Sequence, residues 1–540
     1  MLYAQQLSPA AEAGRPMEYG KRPVILGLSR KIVISDAHGE VLRVLKKRSS
    51  LYFVTVLSSV FVVCIVIGSC GNNYYFAGRS LPPSGVLNRV LIAEQNPSAF
   101  ATGALPFMDA YYDIRHAYNA SSGQLTINGY SGKLPLTIQN MPEQQTGAVY
   151  GEGDGSLALV SYAQEKVSAT VSIPGSLSSS TEGVPYNGVF ISRDLGYVYA
   201  ANPASHVISV VNRNNGSSLT LNLTNAYGIS VNPGGTIALV FIENATQAAN
   251  QTVDVANPAS FAVYSIVQLT QAQQAAAANN PNYLGAQDCE PQELPTWCVF
   301  PVSTGPAATF DHPIKAVFSP DGSAAYVINC GPECGGTTAG LTEIPITASS
   351  INTGSTGASG IALVAQSNVA IPNGATNAIF NGNTLYIAGQ QYQTSSGVFA
   401  GYLTVVNTPA NTIAGTYSIS DGMHNRMVFA DDNTLWIGSS QCNQGVRYQQ
   451  AQAGASVQFG CITMFNTATN AVTIDSYQGD GTGIAAVEGL HKVYTTEGGQ
   501  IYIYSTTNMA ALDNSNVTIA GTAIDCAYMD AGTDDDNTIY

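Results

Sequence analysis

From Asn88 onward the chain alternates short apolar runs with polar or glycine-rich turns, and the same phrase returns several times: apolar strand, turn, strand with an aromatic or branched centre, loop, then a third alternating strand. It is visible in "NGVFISRDLGYVYAANPASHVISVVNRNNG" (Asn187 to Gly216), "IKAVFSPDGSAAYVINCG" (Ile314 to Gly331), "TNAIFNGNTLYIAGQ" (Thr376 to Gln390), "NRMVFADDNTLWIGSS" (Asn425 to Ser440) and "TGAVYGEGDGSLALVSYAQEKVSATVS" (Thr146 to Ser172). Alternation of this period places successive side chains on opposite faces of a strand. Asp321-Gly322, Gly382-Asn383 and Gly234-Gly235 supply the turn geometry that two-residue hairpin connections need.

First strands are expected near Ala148, Val189, Ile229, Val317, Ile379, Val428, Ala485 and Ile524, and three of the intervals between them are close to forty residues. A four-stranded unit of about forty residues is the period of a propeller blade, whose faces stay uncovered until neighbours pack on both sides. The expected fold is all-β, a β-propeller of seven or eight four-stranded blades over residues 88–530, with the count favouring eight. The other architecture such strands allow is a pair of β-sandwiches. "GTAIDCAYMD" (Gly521 to Asp530) reads as a first strand with no blade after it, while "NRVLIAEQ" (Asn88 to Gln95), "LPFMDAYYD" (Leu105 to Asp113) and "QLTINGY" (Gln124 to Tyr130) read as second, third and fourth strands lacking a first. Joining them closes the ring and removes its free edge.

With the "FSPDG" turn at Phe318 to Gly322, the "GYVYAAN" strand at Gly196 to Asn202 and the "VISVVN" strand at Val207 to Asn212, the chain resembles bacterial YVTN-type (YncE-like, surface-layer-like) propeller repeats and the lactonase-like family close to them. The resemblance implies the fold more strongly than an activity, because one propeller scaffold hosts many functions. It departs from the usual motif in having long insertions after second or third strands.

Upstream of the repeats the pattern changes. Lys46, Lys47 and Arg48 precede an uncharged, mostly apolar run from Leu51 to Gly68, long enough at helical rise to cross most of a bilayer. Basic residues on its N-terminal side send everything after Cys70 across the membrane. The run ends in Ile67-Gly68-Ser69-Cys70, which resembles the lipobox of bacterial lipoprotein signal peptides; the resemblance implies lipidation of Cys70. Residues 45–70 are thus expected to be either a lipoprotein signal peptide or an uncleaved signal-anchor helix. Residues 71–87 are a linker, 531–540 an acidic tail, and 1–44 a cytoplasmic tail or the product of a mis-assigned start. Either reading puts the propeller in the extracytoplasmic cell envelope, anchored to a membrane.

Charge agrees with that division. Residues 1–50 hold nine of the twenty Lys and Arg, so the remainder carries eleven against thirty-one Asp and Glu, about −20, whereas the whole chain is −15. Such a surface repels phosphate backbones and argues against nucleic acid. Six of nine cysteines fall into close pairs that bracket loops, Cys289 with Cys298, Cys330 with Cys334 and Cys442 with Cys461, as expected of disulfides in an oxidising compartment. Cys526 is left as a buried thiol.

Loops entering the first strands line one mouth of the channel and present Gln145, Tyr186, Tyr227, Asp311, His312, Asp421, His424, Arg426 and Thr482. His312 and His424 beside acidic residues, with Asp311 and Arg426, are the candidate catalytic groups, as a general base or metal ligands. Asp-His pairs also make ordinary turn hydrogen bonds. No nucleophile elbow, zinc-protease motif, phosphate-binding loop or full calcium loop is present, and no metal or cofactor is expected; "GDGTG" (Gly479 to Gly483) and the "DDDN" run at Asp534 to Asn537 are partial matches to calcium sites that read better as a turn and a solvated tail. The functional expectation is a monomeric binding or scaffold module for an envelope protein or glycan, with recognition by the insertions at residues 244–312 and 441–460. The alternatives are a lactonase-like hydrolase at the channel mouth and a structural envelope component.

Overall fold

A computed structural model of the chain describes residues 78–98, 101–115, 125–173, 188–202, 207–223, 225–243, 261–269, 288–289, 296–346 and 363–534. The apolar run, the lipobox with Cys70, Tyr186 and most of the 244–312 insertion lie outside these residues. Among the described residues no helix is long and apolar enough to cross a membrane.

The strands form an eight-bladed β-propeller. Seven blades run in chain order, each with its first strand innermost: Pro135–Met141, Val189–Ile191, Ala226–Val231, Pro313–Phe318, Gly374–Asn381, Met423–Ala430 and Gly481–Val487 begin blades two to eight. Blade one is built from both ends of the propeller. Its inner strand is Thr522–Tyr528, which pairs antiparallel with Arg89–Gln95, which in turn pairs with Phe107–Asp109. The fourth position is taken by the segment around Thr126, where Phe107 N donates to Leu125 O at 3.0 Å and Ile127 N to Leu105 O at 2.9 Å. The expected closure is therefore the one observed.

Eight apolar clusters hold the ring, each filled from two neighbouring blades and together joining every blade to the next. The period of two explains how one strand serves two interfaces. In Ile237–Glu243, Ala238, Val240 and Ile242 pack on the blade before while Ile237, Leu239 and Phe241 pack on the blade after. Second strands consequently read as unbroken apolar runs.

Two expectations need correction. Ala148 is not in a first strand: Thr146–Gly151 is the second strand of blade two, and the inner one is Pro135–Met141. Its two flanking prolines disguise it, yet an inner strand faces the channel with one unpaired edge, where a proline costs no ladder hydrogen bond. The hairpins at Gly234-Gly235 and Asp321-Gly322 are also longer than two residues, because the flanking strands end at Val231 and Phe318 and resume at Ile237 and Ala324. In both turns the first residue closes the loop with its side chain: Asn232 Oδ1 accepts from Ile237 N at 2.9 Å, and Ser319 Oγ from Ala324 N at 3.0 Å. Gly382-Asn383 does connect its strands directly, with Gly382 at φ 56°.

Candidate functional site

Inner strands share a further device. In seven of the eight, the register slips by one residue near the start, skipping Leu136, Tyr227, Ile314, Thr376, Asn425, Thr482 and Ile524. A bulge re-aims the side chains that follow it. The residue just after is Thr137, Gly228, Lys315, Asn377, Arg426 or Gly483, and Asp525 in the closing blade. Several of these reach the next blade: Lys315 Nζ donates to Asn377 Oδ1 at 2.7 Å, Asn377 Nδ2 to the His424 carbonyl at 3.1 Å, and Asp525 Oδ2 accepts from Ile138 N at 2.7 Å. Two positions further along, Gln139 exchanges both its amide groups with the Ile191 backbone at 2.7 Å each. These bonds stitch inner strands together around the channel and satisfy polar groups that burial would otherwise penalise.

Most of the candidate residues at the strand entrances are engaged in the same way. Asp311 accepts from Thr337 N and Thr338 N at 2.9 and 2.6 Å, which ties down the loop that follows the Cys330–Cys334 disulfide. His312, at φ 53°, is wedged between the rings of Tyr227 and Phe261 with centroids 5.6 and 5.0 Å away; burial lowers its pKa, and its Nδ1 is buried without a hydrogen-bond partner. His424 is fully buried. Its Nδ1 accepts from Thr376 Oγ1 at 2.6 Å and its Nε2 donates to the Ser420 carbonyl at 2.9 Å, so neither nitrogen faces a ligand, and desolvation brings its pKa down to about 4. Arg426 is 1 % exposed. Asp421 accepts from Asn443 N at 2.9 Å, Thr482 Oγ1 pairs with Thr496 Oγ1 at 2.8 Å, and Gln145 sits in the turn before the second strand of blade two. Among the described residues no contact joins the Asp311–His312 pair of one blade to the His424–Arg426 pair of another: Asp311 braces the loop after the disulfide and His424 bonds Thr376 and Ser420. No group of three or more His, Cys, Asp or Glu that could hold a metal exists among the described residues.

Of the remaining expected features, Cys289 and Cys298 are directly paired in register across two strands. Cys442 and Cys461 are buried thiols rather than a disulfide, with Cys442 Sγ donating to the Asp421 carbonyl at 3.2 Å. They bracket the insertion that carries α1 (Gly445–Gln452). Cys526 is a buried thiol as expected.

The space for a ligand opens at the other end of the channel, where inner strands finish. A cavity of about 600 Å³ is lined there by the strand ends and first turns of several blades. The fourth residue after the bulge contributes Phe318, Phe380, Phe429 and Tyr528 to the wall, with smaller Val231 and Ala486 and polar Asn140 at the same position of other blades. These aromatic side chains share the wall with polar ones, Asn140, Asn232, Ser319 and Thr533 among them, a mixture of apolar surface and placed polar groups that a recognition pocket uses. Lys315, 6 % exposed, and Arg193 are the cations that line it; Glu488, Asp321 and Asp534 are the acids. Asp321 is held down to about 2 by the hydroxyls of Ser319 and Ser323 and the Ser323 amide, so it is ionised at any physiological pH.

Asp534 belongs to the "DDDN" run read above as a solvated tail, and this is a further correction. Its side chain is 1 % exposed, 3.4 Å from Arg193 Nε, and accepts from Glu143 N at 3.0 Å. Sequence reasoning missed Lys315, although a lone lysine inside the apolar "IKAVF" is a signal that could have found it. Arg193 and Asp534, 341 positions apart by their numbering, gave no such sign.

No family model matches the chain, and neither does any curated protein. Solved structures similar to it include hydrazine synthase from Kuenenia stuttgartiensis, at 13 % identity and TM-score 0.43, covering 72 % of this chain and 99 % of that one. AztD from Citrobacter koseri is similar at 11 % identity and TM-score 0.44, covering 82 % and 97 %. A candidate 6-phosphogluconolactonase from Bacteroides fragilis is similar at 11 % identity and TM-score 0.39, covering 73 % and 95 %. At such distances no activity passes from them to this chain, and the functional reading rests on the site itself.

Proposed function

We propose that this chain is a non-catalytic binding module, a YVTN-type propeller held at an extracytoplasmic membrane face through Cys70 or through the apolar segment before it, which docks an envelope protein or glycan at the cavity end of its channel. One contrast carries the reading. Of the candidate histidines, His312 is half-buried and His424 buried with both nitrogens bonded, while the open cavity offers aromatic walls and charges suited to recognition. A rigid ring bearing variable loops is also a common platform for recognition.

The test compares the intact protein with an Ala486→Trp variant, which places an indole in the cavity. Both are immobilised and challenged with solubilised proteins and glycan fragments from the envelope of the native cell. Specific retention by the intact protein that is lost in the variant, at equal thermal stability, is the expected result. Equal retention by both would move docking away from the cavity, and hydrolysis of a lactone or ester panel by the intact protein, abolished by the variant, would overturn the non-catalytic reading.

A further inference from the structure

At the edge of the cavity the chain is bound to its own C-terminal segment. Beyond the closing strand, residues 531–534 run across the mouth and are held at each step: Arg79 Nη2 donates to the Ala531 carbonyl at 2.7 Å, and Gly532 N donates to Glu488 Oε2 at 3.0 Å. The Asp534 carboxylate then meets one neighbouring cation and two amide donors. Arg193 Nε lies 3.4 Å from Oδ2, Glu143 N donates to Oδ1 at 3.0 Å, and the Gln144 amide, oriented by this network, donates to both oxygens at 3.2 and 2.9 Å. A cation, a backbone amide and a side-chain amide converging on one carboxylate are a built anion receptor. It stands out in a chain with 20 Lys and Arg against 35 Asp and Glu. Ala531, Thr533 and Asp534 themselves line the cavity, so receptor and cavity form one continuous surface.

We propose that this receptor is the anchoring subsite for an acidic peptide segment of the docking partner, and that Asp534 is a tethered stand-in that the partner's carboxylate displaces. The inference rests on the cavity being the docking place. The chemistry selects an Asp- or Glu-bearing peptide in extended form, since the stand-in is itself one, with its carboxylate on Arg193 and its backbone paired to Glu488 and Arg79. Tethering has a quantitative consequence. A linked occupant acts at an effective concentration on the order of mM, so against a free peptide of intrinsic Kd about 0.1 mM it weakens apparent binding about tenfold.

The test uses the full chain and a fluorescent peptide with the sequence of residues 531–536, AGTDDD, alongside its AGTNNN counterpart. In fluorescence anisotropy the Asp534→Ala protein is expected to bind AGTDDD about tenfold more tightly than the unaltered protein does, to discriminate against AGTNNN, and to lose binding when Arg193→Ala is added. Equal binding by the unaltered and Asp534→Ala proteins, indifference to peptide charge, or retention of binding without Arg193 would each overturn the proposal. Envelope retention measured in parallel separates the two readings. Retention that persists when peptide binding fails leaves the docking function standing without this subsite, whereas loss of retention in the cavity-filled variant together with charge-selective peptide binding supports both.

Discussion

Arg89 and Asp530 lie 441 positions apart and meet through three hydrogen bonds, from the Arg89 backbone N at 2.8 Å, Nε at 3.1 Å and Nη2 at 2.7 Å. The remaining Arg89 nitrogen, Nη1, donates to Glu165 Oε1 at 3.0 Å and the Tyr162 carbonyl at 2.7 Å. One buried guanidinium therefore ties blade one to blade two at the point where the chain closes on itself. Arg89→Met leaves two buried carboxylates without their cation, and the loss of a buried partner costs about 3–5 kcal/mol. A fall in unfolding free energy of that size, read from denaturant midpoints, is expected; a change under about 1 kcal/mol would mean the clasp contributes little.

Gly483 marks a closure of a different kind. A Cβ there would stand 2.6 Å from both the Cα and Oδ1 of Asp525 and 2.7 Å from Cys526 N, so blade eight fits against the closing strand only without a side chain. Gly483→Ala is expected to destabilise by more than about 2 kcal/mol, as overpacking against backbone does. Gly322, at φ 71° with open space around it, is the control: Ala there pays backbone strain of only about 1 kcal/mol. Thermal melts of the two variants check the order.

His424 makes the protein sensitive to acid. Its folded pKa is about 4 against an ordinary 6.5, so below 6.5 the unfolded chain takes up a proton that the folded one refuses. Stability from this group is complete above 6.5 and declines as pH falls through 4, by about 3 kcal/mol in full. His424→Gln is expected to flatten the stability profile between pH 6.5 and 4, read from urea midpoints; an unchanged slope would assign the acid sensitivity elsewhere.

Glu497 acts in the opposite direction. Burial raises its pKa from 4.5 to about 8, although Thr495 Oγ1 at 2.5 Å and Tyr504 Oη at 2.9 Å donate to its Oε1. Above 4.5 the unfolded chain ionises while the folded one keeps its proton, so stability is lost as pH rises from 4.5 to 8, roughly 3 kcal/mol of it by pH 7. Glu497→Gln removes this slope and is expected to gain on the parent steadily across that window. A constant difference between the two proteins from pH 5 to 8 would show that the carboxyl is already ionised in the fold.

Burial sets the behaviour of the thiols as well. Desolvation pushes the Cys442 and Cys526 thiols up, and both are sealed from solvent together with Cys461. A buried thiol of raised pKa is inert. Alkylation followed by peptide mapping is expected to leave these three unlabelled in the native protein and to label them in denaturant, with Cys330 and Cys334 labelled only after reduction. Recovery of a Cys442–Cys461 cross-link would restore the pairing that their spacing suggested.

The blades were legible because the physics that builds them is local: each needs alternating strands and a turn, and each repeats. The closing strand was legible for the same reason, as a blade fragment at each end that lacked its complement. Pro135–Met141 was not, since the freedom of an inner edge to accept proline exists only once the ring exists. The site was hidden for a related reason. His312 and His424 carry the residue types of chemistry, but whether a histidine faces a ligand or is enclosed depends on neighbours tens of residues away, Tyr227 and Phe261 for the first and Thr376 for the second. Arg193 and Asp534 meet only after most of the ring has closed, and no spacing in the chain encodes that.

The pairing of Thr522–Tyr528 with Arg89–Gln95 also fixes when the molecule becomes whole. A chain made or threaded from its N-terminus presents Arg89–Gln95 among the first strands and its inner partner last, so for nearly all of synthesis one blade has no centre and its edge stands open. Shelter for that edge, whether from a chaperone or from speed, is a requirement of the topology, and loss of Thr522–Tyr528 is a lesion of the first blade.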